Sequence, residues 1–525
     1  MLRSATLSVL LAACLGASDA VPAPAVTPAV ITPAPALTLE PTGEWQPMHW
    51  PVLGHSTAIE DWHGKPAPWN AAPVLWDLAT HAPDPTAEPL THAYPLHWLR
   101  LHTGNTYRWR DVIGPVAQRK EMPAEYNTRL LAEPGFDEAL RWAESLPQPP
   151  QVSFIVGPNQ EVDDLHDWVA YVNATTGPMA ELRAANGHPA PYHVRSVELG
   201  NEVDWKGRDD VDIMRADSTR EQAGMMRVED YIRMFRPRIA AMRAADPNIK
   251  LYAHAKTSPW PMSTPKWADW HRAIIAELGD QIDGISIHPY YDGYPVPVVM
   301  RSVDTLVADV RAHNATGGHQ LSVWISEHGK WWGNHNDGQT WGLAGSISTA
   351  DFLIDILQRP EIEAASNWCY AHTGPWRVID RDPKTGKRFG TGIHWTYALL
   401  NSTALGELHP LQAVMPAGVT FPAYDYAVNA LWFREPGSTR QALLAINRSP
   451  DQPFRLSTTI PLAAHTTATL RIVTAERLDV TNTRSDPDAV HLTTSDVPLV
   501  PDAQGHLSVE LPPKAVVSWS WNQWP

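Results

Sequence analysis

The sequence predicts an α/β chain: a (β/α)8 TIM barrel followed by a C-terminal antiparallel β-sandwich. Three observations carry that prediction. Apolar, β-branched runs alternate with helical periodicity from about residue 45 to 402. After residue 403 the helical period stops, and short alternating runs punctuated by Pro, Gly, Asp and Asn take over. The 525 residues are enough for a barrel and one further domain. The expected division is an export signal over 1–20, a Pro/Ala-rich linker over 21–44, a barrel over 45–402 and a β-sandwich over 403–525.

In the leader, Arg3 makes a minimal basic region and Leu7 to Ala13 a short apolar stretch. Leu11-Ala12-Ala13-Cys14 fits a bacterial lipobox, whose Cys is lipidated; ordinary cleavage near Ser18-Asp19-Ala20 is the alternative. Both predict an exported protein: an outer-membrane lipoprotein, or a periplasmic or extracellular one. The tract VPAPAVTPAVITPAPAL that follows reads as an extended spacer.

Seven runs fit barrel strands: 96–101, 151–156, 194–199, 249–254, 283–288, 321–326 and 364–370. An eighth strand is expected before them, near Trp50 to Leu53. Helical faces fall between the strands. Val162, Leu165, Trp168, Val169 and Val172 share one, and Ile232, Phe235, Ile239 and Met242 another, where Pro237 should kink or start the helix. Further helices fit 137–145, 265–279, 300–313 and 343–358. The sandwich strands include 442–447, 467–478, 506–511 and 515–521. A doubly wound nucleotide fold has no support: neither G-x-G-x-x-G after a first strand nor a P-loop occurs.

Composition narrows the partners. Acidic residues number 57 against 41 basic, which disfavours nucleic acid. No apolar run reaches the roughly 18 residues of a membrane span, so membrane contact is expected only through the lipid anchor. Trp numbers 24 against 8 Phe, and its flat face with an N–H suits sugar rings as well as packing. With only Cys14 and Cys369, no structural disulfide is expected, and Cys369 reads as a buried thiol.

In a barrel, chemistry sits at the C-terminal ends of the strands. Strand two ends with Arg100 and Asn105, strand four with Asn201 and Glu202, and strand five at His254. Strand six ends with His288, Tyr290 and Tyr291, strand seven with Glu327, and strand eight with Trp368 and Tyr370. Two carboxylates, Glu202 and Glu327, therefore share one barrel mouth. Retaining glycoside hydrolysis needs such a pair, one as acid then base, the other attacking the anomeric carbon. Asn201 would meet a sugar hydroxyl, Tyr290 would orient one carboxylate, and Arg100 would keep it ionised. A lone Asn-Glu or Ser-Glu-His is a common surface peptide; their joint placement on a barrel favours chemistry. His254 and His288 are singly more often core residues than metal ligands. Without H-E-x-x-H or C-x-x-C, no metal is expected, nor any organic cofactor. Asp209-Asp210-x-Asp212 and Asp380-x-Asp382 read as loop acids rather than Ca²⁺ sites.

The run LRLHTGNTYRWRDVIGP resembles the strand-two segment of glycoside hydrolase family 51, the retaining α-L-arabinofuranosidases of clan A. VELGNEVDW, ADPNIKLYAHA, DGISIHPYYDG and WISEHG then follow in that family's order. The resemblance spans about residues 95–330. It implies Glu202 as acid/base and Glu327 as nucleophile, with Arg100, Asn105, Asn201, His288 and Tyr290 lining the sugar subsite. The chain departs at Leu101-His102-Thr103-Gly104-Asn105, where the family usually has Tyr-Pro-Gly-Gly-Asn, and at Glu327-His328-Gly329, where it usually has Glu-Trp-Asn. Glu60 is the nearest candidate for the family's sugar-binding Glu on strand one. A Trp-rich rim (Trp331, Trp332, Trp341, Trp376), with Trp332 and Trp368 as stacking residues, suits a longer glycan.

The expected function is therefore a retaining glycosidase on plant-type polysaccharide, an arabinofuranosidase by resemblance. An endo-acting β-glycanase of the same clan, on glucan, xylan or algal galactan, is the alternative. A non-catalytic glycan-binding lipoprotein is the rival of another class; a pure binder has no need of the carboxylate pair. The substrate partner is a polysaccharide or oligosaccharide. The sandwich is either a carbohydrate-binding module or a brace for the barrel.

Overall fold

A computed structural model describes residues 34–58, 75–120, 122–124, 128–130, 133–204, 226–257, 265–292, 295–331, 339–371, 376–382, 384–414 and 426–523. The expected leader with Cys14, most of the Pro/Ala-rich tract, Glu60, Asp209 to Asp212 and Trp332 lie outside the described residues.

Eight parallel strands close a barrel. In order they are Gly54–Ala58, Trp98–His102, Gln151–Val156, Ser196–Leu199, Lys250–His254, Gly284–Ile287, Ser322–Lys330 and Ile362–Trp368. Each pairs with its sequence neighbours, and Ile362–Trp368 pairs back onto Gly54–Ala58, with Ser366 opposite Gly54. Helices follow the alternation read from the sequence: Phe136–Ser145, Val162–Asn173, Val228–Ala245, Pro265–Leu278, Val296–Asn314 and Leu343–Ile356. Pro178–Ala185 and Gly392–Thr403 add two that the periodicity did not reveal. Pro237 neither starts nor ends its helix, which runs on through it to Ala245.

Two readings of the sequence are corrected. The first barrel strand is Gly54–Ala58, not Trp50 to Leu53, which forms a 3-10 turn with Pro51 at its start. The strand Gly-His-Ser-Thr-Ala has no apolar run because polar side chains are buried on both faces of it: Ser56 meets Arg100, His55 packs on Tyr94, Tyr370 and Tyr397, and His55, Ser56 and Thr57 are all 0% exposed. Gly54 is needed for close approach. A Cβ there would lie 2.6 Å from the Ala365 carbonyl oxygen and 2.7 Å from Trp98 Cβ.

The second correction concerns the spacer. Its end, Ala36–Pro41, is a strand, antiparallel to Glu407–Val414 and parallel to Phe454–Pro461. Leu37 and Leu39 alternate into the core of the C-terminal sheet, at 1% and 0% exposure, and Pro41 closes the strand.

That sheet has ten strands, mostly antiparallel. Arg440–Asn447 shows how it sits. Leu443 and Ala445 face the sheet's own core. Ala442, Leu444 and Ile446 join the core of the barrel. Both faces of this strand are buried, which is why its sequence loses the polar-apolar alternation of a solvated sandwich strand. No helix of the described residues is long and apolar enough to cross a membrane.

Candidate active site

The chain leaves barrel strand four through Gly200, at φ 85°, and places Glu202 at φ 49°. A non-glycine residue in the left-handed region costs about 1 kcal/mol or more and persists where its surroundings hold it. Here the clamp is Asn105. Its Nδ2 donates to the Asn201 carbonyl at 2.7 Å, and its Oδ1 accepts from the Asn201 N–H at 2.8 Å. Asn105 itself lies against Gly157, where any Cβ would overlap the Asn105 carbonyl.

Glu327 lies within barrel strand seven and is 6% exposed. Its Oε1 accepts from Arg100 Nη1 at 2.7 Å, and its Oε2 from the Tyr290 hydroxyl at 2.8 Å. Tyr290 is positioned by a two-residue strand, Tyr290–Tyr291, paired parallel with Gly329 and Lys330. Arg100 is fully buried in barrel strand two. Besides Glu327 it donates from Nε to Glu198 Oε2 at 2.6 Å and from Nη2 to Asn201 Oδ1 at 2.8 Å.

His288 stands between the carboxylates. Its Nδ1 lies 3.0 Å from Glu202 Oε1 and 3.6 Å from Glu327 Oε2. Oxygens of Glu202 and Glu327, together with a nitrogen of His288, lie within 4.8 Å of one another. That is the close spacing of a retaining pair, for which the carboxyl groups stand about 5–5.5 Å apart.

Burial alone would push His288 down, but the Glu327 charge, then Glu198 and Glu202, outweigh it and raise its pKa to about 9. Burial would raise Glu198; Arg100 foremost, with His254 and His288, holds it well below the usual carboxylate range instead. Burial, then the charges of Glu327 and Glu202, pushes the Tyr290 hydroxyl well above 10, so it stays a donor.

Two trios offer ligand-type atoms within 4.8 Å: Glu198 with His254 and His288, and Glu202 with His288 and Glu327. In both, the carboxylates already face cationic side chains, Arg100 at 2.6 and 2.7 Å among them. The donor set therefore reads as a network of carboxylates already paired with cationic side chains. Asp380 is paired with Arg377 at 2.6 Å.

The barrel thus brings together Arg100, Asn105, Asn201, Glu202, His288, Tyr290 and Glu327, the residues singled out from the sequence. Trp368 ends barrel strand eight and meets His102 edge-on, ring centroids 5.0 Å apart. Trp376 and Trp331 flank Tyr290, at 5.4 and 6.1 Å between ring centroids. Trp341 is no rim residue. Its Nε1 donates to the Asn482 carbonyl of the sheet domain, and Arg377 covers its ring. Sequence reasoning missed Glu198 and Ser56, which meet Arg100 at Nε and Nη1. The available signal was a carboxylate inside the apolar strand Ser196–Leu199, where an unpaired charge is untenable.

Comparisons with known proteins bear on the fold and the family. Residues 99–275 match the family model "Alpha-L-arabinofuranosidase 1 domain". An intracellular exo-α-(1→5)-L-arabinofuranosidase of Halalkalibacterium halodurans is 29% identical over 189 residues, 35% of this chain and 34% of that protein. The chain thus matches about a third of the length of such curated relatives. Among solved structures, a family 51 α-L-arabinofuranosidase from Bifidobacterium longum superposes with a TM-score of 0.76 at 18% identity, covering 93% of this chain and 100% of that one. An α-L-arabinofuranosidase from Thermotoga maritima gives 0.75 at 17% identity, covering 92% and 99%. The chain resembles the clan A glycoside hydrolases of family 51, and shares their barrel with a C-terminal β-domain.

Proposed function

We propose that this chain is a retaining glycoside hydrolase that removes α-L-arabinofuranosyl residues from plant-type polysaccharide or oligosaccharide. The observation that carries the proposal is the Glu202–Glu327 pair, with oxygens within 4.8 Å at the ends of barrel strands four and seven. The family-model match over residues 99–275, which contains Glu202, and the similarity to named arabinofuranosidases support the sugar assignment.

Glu327, oriented by Arg100 and Tyr290, attacks the anomeric carbon. Glu202 gives its proton to the leaving oxygen as that bond breaks, and a glycosyl ester forms on Glu327. Glu202, now a carboxylate, takes a proton from water. The water attacks the same carbon, the ester breaks, and Glu327 leaves as a carboxylate. Asn201 Nδ2 is buried and makes no hydrogen bond among the described residues, which suits a donor to a sugar hydroxyl. The leader supports export of the enzyme.

The test is a hydrolysis panel on the protein lacking residues 1–33. It holds p-nitrophenyl α-L-arabinofuranoside, β-xyloside, β-glucoside and β-galactoside with arabinoxylan, xylan, β-glucan and an algal galactan, and Glu327→Ala as control. Arabinose release, lost in the control, is expected. Oligosaccharides from a polymer without aryl-glycoside turnover would move the substrate to that of an endo-acting enzyme. Glycan binding unaccompanied by any turnover would overturn the enzymatic reading in favour of a binding protein.

A further inference from the structure

We propose that Glu198, a carboxylate with no step of its own in the double displacement, is a positioning residue that ties together Arg100 and His288, the partners of Glu327 and Glu202. The inference rests on the double displacement proposed above and assigns a role to a residue outside it.

Glu198 is 0% exposed, so its charge persists only if it is matched. One oxygen, Oε2, accepts from Arg100 Nε at 2.6 Å. The other, Oε1, faces His288 Nε2 at 3.8 Å and His254 Nδ1 at 3.5 Å. Arg100 continues to Glu327, and His288 continues to Glu202. One buried anion thus sits behind both reacting carboxylates, with a single cationic side chain between it and each.

The consequence is specific. Three carboxylates meet two strong cations, and the negative charge on Glu198 helps His288 remain an imidazolium. As an imidazolium, His288 donates from Nδ1 toward Glu202 while Nε2 points at Glu198. His254 is braced against Ser286 Oγ at 3.2 Å and packs edge-on to the His288 ring, centroids 4.6 Å apart. Among the described residues, the other titratable groups around this trio include Tyr290, bonded to Glu327, Tyr231, whose hydroxyl lies against strand four at the Leu199 carbonyl, and Asp204, held by Thr257. Of the three, Tyr231 and Tyr290 are pushed above the ordinary tyrosine value by burial first, so both stay neutral near pH 7.

The experiment compares the full chain with Glu198→Gln on whichever substrate the wild type hydrolyses. Glu198→Gln keeps the shape and removes the charge. KM should change by less than about threefold. The basic limb of the pH–rate profile should move acidward by about 1–2 units, as removal of an opposite charge at this range does to its partner. Glu198→Asp, which restores the charge, should restore the limb. An unchanged limb in Glu198→Gln, or loss of melting temperature alone, overturns the proposal. If Glu198→Gln does not fold, titration of His288 by NMR in ¹⁵N-histidine-labelled wild type decides it, with His288→Gln to assign the signal. A His288 that is neutral at pH 7 overturns it. So does zinc retained stoichiometrically by the wild type and lost in Glu198→Asp. A wild type without turnover on any glycoside overturns the functional reading instead, and the NMR titration still decides the role of Glu198.

Discussion

Tyr290 donates its hydroxyl to Glu327 Oε2 at 2.8 Å, on the oxygen that Arg100 leaves open. Each oxygen of the proposed nucleophile is therefore held by a different donor from a different strand end. A hydrogen bond to a charged group contributes about 1.5–3 kcal/mol. Tyr290→Phe should lower kcat about 10- to 100-fold, with a smaller change in KM. Steady-state kinetics beside a thermal melt would check this. An unchanged kcat would mean that Arg100 alone fixes the carboxylate.

His288 gives a pH dependence whose sign can be worked out. Its pKa is raised from 6.5 to about 9 in the folded protein, by the three carboxylates around it and against burial. A raised histidine stabilises the fold fully below about pH 6.5, and that contribution fades as pH rises through 9. Its full size is about 3 kcal/mol. The stability gap between wild type and His288→Gln should thus be larger by about that amount at pH 6 than at pH 10. Urea unfolding at the two pH values measures it; a gap independent of pH would refute the charged state.

The sequence made most of the barrel legible because parallel strands buried on both faces stand out as apolar runs between helical periods. It hid the first strand, Gly54–Ala58, whose residues are small and polar and become core only when the barrel closes. It hid the strand Ala36–Pro41 behind a Pro-rich composition, although Leu37 and Leu39 carry the two-residue period. The reacting carboxylates were legible as strand-end acids. Glu198 was not, because its meaning depends on Arg100, which lies 98 residues away in the chain and next to it in space. Trp341 was misread for a related reason: a Trp count does not say which ring meets a sugar and which meets a neighbouring domain.

The joint between barrel and sheet contains an acid that should respond to pH. Asp355 lies beside Asp351, which accepts from Arg448 Nε, the Tyr426 hydroxyl and Asn429 Nδ2. Burial first, then the Asp351 charge, raises Asp355 to about 7. Because the folded pKa exceeds the unfolded one, this acid favours folding below about pH 4 and loses that contribution as pH rises through 7. Asp355→Asn keeps the partner Asn429, 3.0 Å away, and removes the buried charge. Melting temperature should rise by a few degrees, ~2–5 °C, at pH 8 and change little at pH 4. A variant that melts lower at both pH values would show that the carboxyl is needed ionised.

The sheet domain should prove inseparable from the barrel. Helices Leu343–Ile356 and Gly392–Thr403 end the barrel and have apolar faces that belong to one core with Leu431, Phe433, Leu444, Ile446 and Val516 of the sheet. Arg448 of the sheet pairs with Asp351 of the first helix, and that carboxylate is 0% exposed. The strand Ala36–Pro41 crosses the other way, from the N-terminal side of the barrel into the sheet. Cutting the chain after residue 403 would expose that apolar face and leave Asp351 and the Ala36–Pro41 strand without partners. The fragment should aggregate or show no activity. In the intact chain, Arg448→Ala should lower stability by about 3–5 kcal/mol, the cost of leaving a buried charge unpaired. It should do so in one unfolding transition shared by both parts, seen by calorimetry. A soluble, active fragment ending at residue 403, or two separate transitions, would make the sheet an independent module and restore a carbohydrate-binding role as its explanation.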